Sequence, residues 1–207
     1  TEVVAIHNGR MVAASSPAGP AFEGGTVTYG MPGYEGAIER IHWNGTNWDY
    51  QTIGDEAALG ICGSGLIDLL AELRRHSLMS PKGVFSERKK ELVIDADSGI
   101  TFSRLDASNL AQAKAANYCG QYIVLRALGL SPGNVNKLYL AGGFAHYVDT
   151  QAAIDIGFLA PVPAERIEKV GNASLQGARE VLLSQDKRLQ LEVLVGNIEH
   201  IELETTP

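Results

Sequence analysis

The stretch Leu138-Tyr139-Leu140-Ala141-Gly142-Gly143-Phe144 reads as a short apolar strand broken by two glycines. Helical spacing follows over Gln151 to Ile156, so the unit is strand, Gly-Gly, loop, helix. Glycines at a strand end leave backbone amides bare, and a flat base or a ribose fits where a side chain would block it. A tight strand-to-helix turn uses the same letters, so this segment alone leaves both readings open.

Working outward, the chain alternates strand and helix signals. Asn8-Gly9 between Val3–Ile6 and Met11–Ala14 predicts a hairpin, and Asn44-Gly45 between Ala37–Trp43 and Trp48–Ile53 predicts a second. Leu66 to Leu73 has helical apolar spacing. Ser80 to Ser98 is polar and turn-rich, with one short strand at Leu92-Val93-Ile94. Asp106 is placed as the N-cap of a long helix reaching about Leu128, ended by Gly129 with Pro132 beyond. Lys169-Val170 reads as a strand end, Asn172 to Ser184 as a helix, and the tail adds a strand near Ile198 to Leu203. The fold class expected is α/β: a mixed sheet with helices packed on it.

Bulk properties exclude several functions. The net charge is −7, and no basic run stands out beyond Arg88-Lys89-Lys90. A nucleic-acid binder would show a basic stripe, so none is expected here. There is no apolar run of about 20 residues, so no membrane span is expected. Cys62 and Cys119 are the only cysteines and lie far apart, which fits neither a disulfide framework nor a metal site. A reducing cytoplasm is the simplest compartment. His7, His42, His76, His146 and His200 show no metal-ligand spacing, so no metal site is predicted; His146, just after Gly-Gly-Phe, is the one to watch.

Three further segments carry candidate chemistry. In Gly60-Ile61-Cys62-Gly63-Ser64-Gly65, free amides at a helix N-terminus favour an anion, although small residues also serve close helix-to-sheet contact. Asp68 after it is a weak candidate for a water-orienting or metal-linked carboxylate, against the plainer role of neutralising the helix dipole. The Gly/Pro loop Ser16 to Gly25 holds Gly19, Gly24 and one carboxylate, Glu23, which is a weak candidate base or a structural partner of loop amides. Asn172 is a good cap that also stands as a cleft candidate.

Taken together, these segments resemble the C-terminal ATPase region of the reductive activators of corrinoid proteins. The residues that carry the resemblance are Ala18 to Gly24, Gly60 to Asp68, Ala113-Lys114-Ala115-Ala116, Leu140 to Phe144 with Tyr147, and Gly171-Asn172-Ala173. The resemblance implies an actin-like ATPase lobe with a ribonuclease H-like sheet, spanning residues 1–207 as the second lobe of a larger protein. It implies ATP and Mg²⁺ as cofactors, with a 2Fe-2S cluster elsewhere in the parent protein. The implied role is ATP-driven electron transfer to the Co(II) form of a corrinoid methyl-transfer protein, the implied partner; a homodimer is the expected assembly. Gly142 and Gly143 would form the adenosine turn with Phe144 near the base. Lys114 would wall the nucleoside side, and Gly63, Ser64 and Gly65 would face the same cleft.

The sequence departs from that pattern in places. Ala145 stands where the family's adenosine motif has a glycine, and Pro17 replaces a small residue. A phosphate loop of the Asp-Gly-Thr type is expected immediately before Thr1, together with a first ATPase lobe and the iron-sulfur module. Two other readings remain: a nucleotide-independent docking or dimerisation module of the same fold, and an activator of a radical acyl-CoA dehydratase or benzoyl-CoA reductase. The last requires Cys62 and Cys119 to meet at a two-fold axis. In the first reading, that of a corrinoid activator, the isolated chain is expected to bind ATP weakly and hydrolyse it negligibly, because half a cleft cannot align phosphates and metal for in-line attack.

Overall fold

The computed structural model describes residues 1–203. Along the chain run β1 (Glu2–His7), β2 (Arg10–Ser15), β3 (Ala37–Trp43), β4 (Trp48–Thr52), β5 (Gly60–Ile61) and α1 (Gly63–Arg75). They are followed by β6 (Glu91–Asp95), β7 (Ile100–Ser103), α2 (Arg104–Ala127), β8 (Leu138–Ala141), α3 (Gly143–Tyr147) and α4 (Thr150–Asp155). The last elements are β9 (Ile167–Gly171), α5 (Ala173–Leu183), α6 (Gln185–Gly196) and β10 (Ile198–Ile201).

Local chemistry accounts for most boundaries. Asn8 and Gly9 both take positive φ, at 48° and 78°, as a tight hairpin turn between β1 and β2 requires. In the second hairpin the Asn44 Oδ1 accepts from the Thr46 and Asn47 amides, fixing the β3–β4 turn. The start of α2 corrects the expected cap. Ser103, not Asp106, is the N-cap residue: its Oγ accepts the Asp106 N–H at 3.1 Å, while Asp106 Oδ2 accepts the Ser103 N–H at 2.8 Å. This reciprocal pair is a capping box in which Asp106 occupies the third helical position. Asp106 Oδ1 also accepts the Thr28 N–H at 2.8 Å. The carboxylate thereby ties the loop after Val27 to the helix, a long-range role that a local reading misses.

Two compact units form. The first holds, of the described residues, 1–17, 117–146 and 159–203. Its sheets are β1-β2-β10, with β1 and β2 antiparallel and β10 parallel to β2, and the parallel pair β8-β9. Val12, Ala14, Val124 and Leu128 make a core between β2 and the second half of α2. The second unit holds residues 18–116 and 147–158. Its sheets are β4-β3-β5 and β6-β7, and Ile38, Ile61, Leu66, Leu69, Leu73, Phe85 and Phe102 are fully buried in it. The ladders are thus both parallel and antiparallel, which is the mixed α/β architecture expected.

Four elements escape the sequence reading. β5 has only two residues, β7 four and α3 five. In α6, Leu189, Leu191, Val193 and Val195 alternate with period two, a strand pattern, yet the segment is helical, capped by Ser184 Oγ accepting the Lys187 N–H at 3.3 Å.

Candidate functional site

In the first unit, β8 and β9 run parallel and end side by side. The pairing passes from Leu140↔Lys169 to Ala141↔Gly171, so Val170 is an extra residue, a bulge at the end of the ladder. Each strand then turns into a helix through a glycine: Gly142 at φ 107° before α3, and Gly171 at φ 66° before α5. The Gly142 N–H donates to the Gly171 carbonyl at 2.7 Å, which locks the two turns together. Asn172 caps α5, its Oδ1 accepting the Leu175 N–H at 2.9 Å. In open α/β sheets, ligands bind at the carboxyl ends of parallel strands, where helix N-termini and bare amides converge.

The glycines separate by what their surroundings demand. A Cβ on Gly65 would stand 2.3 Å from the Ile38 carbonyl oxygen, and one on Gly24 would stand 2.4 Å from the Met31 nitrogen. Those two are required by close packing. Gly142 is required by its positive φ. Gly143 has neither reason: its φ is ordinary, and a Cβ there would meet nothing within 4 Å. Its missing side chain leaves open space against the backbone, as at Gly177 and Gly196. Phe144, half-buried, follows in α3.

The remaining predicted residues lie in the second unit. Gly63, Ser64 and Gly65 open α1 and are buried, with Ser64 Oγ 3.3 Å from Cys62 Sγ. Glu23 is exposed, in a turn where Gly24 and Gly25 amides bond back to Ala21 and Pro20. Gly19, at φ 68°, meets nothing within 4 Å. Lys114 lines a cavity with Arg74, Met79, Ser80 and Ile156. Burial, and then the Arg74 charge, lower its pKa. Of the ten predicted ligand residues, Gly142, Gly143, Phe144 and Asn172 therefore come together in one unit, and Gly19, Gly24, Gly63, Ser64, Gly65 and Lys114 belong to the other.

Asp68 belongs to a polar seam along β3. Past Ile38, β3 has no strand partner on the β5 side. Instead α1 presents Asp68 and Glu72 to that edge. The Trp43 N–H donates to Glu72 Oε2 at 2.9 Å, while the Ile41 amide only moderates the rise in the Asp68 pKa. Residues four apart on a helix rise about 6 Å, and residues two apart on a strand about 6.6 Å, so the spacing of the two carboxylates follows that of Ile41 and Trp43. Glu72, 3% exposed, is also met by His42 Nδ1 at 2.8 Å, His76 Nε2 at 3.4 Å and Arg75. Asp68 is less well served: Arg40 is 3.6 Å away, and Oδ1 has no hydrogen-bond partner among the described residues. Burial pushes its pKa up to about 6, opposed by Arg40 and reinforced by Asp149. Nothing in the sequence pattern marks Glu72, because its role depends on a strand edge some thirty positions away (29 residues).

Among the described residues, no group of three or more His, Cys, Asp or Glu side chains is placed to hold a metal ion. Cys62 is buried with Sγ 3.4 Å from the Ile38 carbonyl oxygen, while Cys119 is exposed. Two such thiols do not fit a 2Fe-2S cluster, which takes four ligands. A buried Cys62 also cannot supply a cluster shared across a two-fold axis. No described helix is long and apolar enough to cross a membrane.

Mixed ladders, and a glycine turn at the carboxyl ends of two parallel strands, fit the class of actin-like ATPase domains. The chain belongs to the family described as the C-terminal domain of RACo, the ASKHA domain, whose model matches residues 1–207. It is similar to the corrinoid activation enzyme RamQ of Eubacterium limosum, 29% identical over 94% of this chain and 37% of that protein. It is also similar to the [Co(II) methylated amine-specific corrinoid protein] reductase of Methanosarcina barkeri, 27% identical over 86% of this chain and 36% of that protein. Among solved structures, a reductive activator for corrinoid, iron-sulfur protein superposes with a TM-score of 0.87 at 33% identity, covering 99% of this chain and 36% of that one. The chain thus spans little more than a third of the length of the relatives it matches.

Proposed function

We propose that this chain is the nucleotide-binding part of a reductive activator of a corrinoid protein, and that Gly142 and Gly143 form its adenosine turn. The observation that carries the reading is the place of Gly143: like Gly177 and Gly196 it is required by neither its φ nor a neighbouring atom, but it alone of these three stands where a parallel strand ends. The turn fits a nucleoside: two bare residues at a strand end, an aromatic ring next in sequence at Phe144, and Asn172 at the adjoining helix start. In this reading Mg²⁺ arrives with the phosphates. Bound ATP would supply the free energy for an uphill electron transfer to Co(II). The electron would come from an iron-sulfur cluster in the longer protein, and the client would be a cytoplasmic corrinoid protein. What this chain's own residues do is bind and orient the nucleotide. Asp68 and Glu23 carry no step here: Asp68 lies in the β3 seam and Glu23 on an exposed turn.

The test is calorimetric titration of MgATP into the full-length protein and its Gly143→Ala variant. At least a tenfold loss of affinity with unchanged thermal stability is expected. Equal binding by both proteins refutes the adenosine turn. The 207-residue chain alone is expected to hydrolyse ATP negligibly; robust turnover by it would overturn the assignment of the phosphate chemistry to the longer protein.

A further inference from the structure

Helix α3 is a single turn of five residues, too short to hold its own geometry through internal hydrogen bonds. Yet it begins at Gly143, the residue whose open backbone defines the proposed site. Its position is set from β9, at both ends. At the start, the Gly171 carbonyl takes the Gly142 N–H at 2.7 Å. At the far end, the Lys169 ammonium donates to the His146 carbonyl at 3.1 Å. Lys169 sits opposite Leu140 in the ladder, and the bulge at Val170 then brings Gly171 opposite Ala141. Three successive residues of β9 thus supply one contact to each end of α3, with the extra residue between them.

We propose that Lys169 is a positioning residue: it clamps the carboxyl end of α3 and so fixes the Gly143 backbone in the orientation a ligand meets. A cation at a helix C-terminus is electrostatically favoured, and here its ammonium bonds the His146 carbonyl directly. The Lys169 ammonium bonds a carbonyl of α3, so the role assigned to it is to hold the turn. The affinity consequence rests on the nucleotide reading above; the clamp itself does not.

The experiment compares wild type, Lys169→Met, Lys169→Arg and the control Lys187→Met in the full-length protein. Lys187 is exposed on α6 and pairs with Glu180. Backbone amide exchange over residues 143–147 is measured without nucleotide, and MgATP affinity by calorimetry. The clamp predicts exchange over 143–147 at least fivefold faster in Lys169→Met. It further predicts MgATP affinity three- to tenfold weaker, both largely restored in Lys169→Arg and unchanged in Lys187→Met, with the thermal midpoint preserved. Unchanged exchange in Lys169→Met overturns the clamp. Faster exchange with unchanged MgATP affinity overturns its positioning role. If wild type binds no MgATP, the nucleotide reading fails, and the exchange comparison still decides whether Lys169 holds the turn.

Discussion

The backbone N–H of Gly142 donates to the carbonyl of Gly171 across the carboxyl ends of two parallel strands, at 2.7 Å. This bond joins two strand-to-helix turns that lie far apart in sequence, and Gly142 reaches it with φ at 107°. The neighbouring Gly143 takes no part in such a constraint.

The two glycines should therefore respond differently to a methyl group. Gly142→Ala places an L-residue in the left-handed region and should cost about 1–2 kcal/mol of stability. Gly143→Ala adds a methyl group where nothing lies within 4 Å. It should leave stability within about 0.5 kcal/mol of wild type. Denaturant unfolding of both variants checks the contrast; equal losses would mean that Gly143 has a packing role.

Gly65→Ala should be damaging for a different reason. The new Cβ would come within 2.3 Å of the Ile38 carbonyl oxygen, backbone that cannot swing aside as a side chain would. A loss of about 3 kcal/mol is expected, the upper end for overpacking, with α1 displaced from β3. Thermal unfolding measures the loss, and a near-neutral result would contradict the close contact.

Glu72→Ala should remove the acceptor on which α1 holds the free edge of β3. The Trp43 N–H, His42, His76 and Arg75 all lose their common partner. The buried amide alone predicts about 1–3 kcal/mol of destabilisation, and the loss of the ion pairs adds to it. Glu72→Gln, which keeps one acceptor oxygen, should recover part of the loss in the same denaturation assay.

Asp68 should make stability depend on pH in the direction opposite to most carboxylates. Its folded pKa of about 6 lies above the unfolded value of 3.8, so the native state holds the proton more tightly. The stabilisation is full below the unfolded pKa and disappears as pH rises through about 6. Asp68→Asn should flatten the fall in unfolding midpoint between about pH 4 and pH 7. Asp106 slopes the other way. Burial would raise its pKa, but hydrogen bonds from Ser103 and Thr28 outweigh burial and hold it low, so its contribution is lost only in acid. A midpoint that rises from pH 4 to 7 in wild type and not in Asp68→Asn would refute the assignment.

Much of the fold was legible because its causes are local. Asn8-Gly9 and Asn44-Gly45 specify their turns whatever surrounds them, and Leu66 to Leu73 declares a helix by period alone. Gly142-Gly143 after an apolar strand was enough to point at a backbone-lined turn, and the order of the other glycine-rich segments pointed to the family. Where a residue's partner lay elsewhere in the chain, sequence reading went astray or said nothing. Asp106 was read as a cap, though it is the inner half of a capping box that also holds Thr28. The alternation within α6 gives no helical signal, and the segment is a helix.

What the sequence determined by itself was the succession of strands, turns and helices and the places where the backbone is bare. What only the tertiary structure decided was why each glycine is there. The letter is the same at 24, 65, 142 and 143, but the reason depends on atoms that folding brings close: a Met31 amide, an Ile38 carbonyl, the Gly171 carbonyl, or, at Gly143, nothing at all. An absent side chain has no pattern of its own, so only the space around it distinguishes packing from an open site.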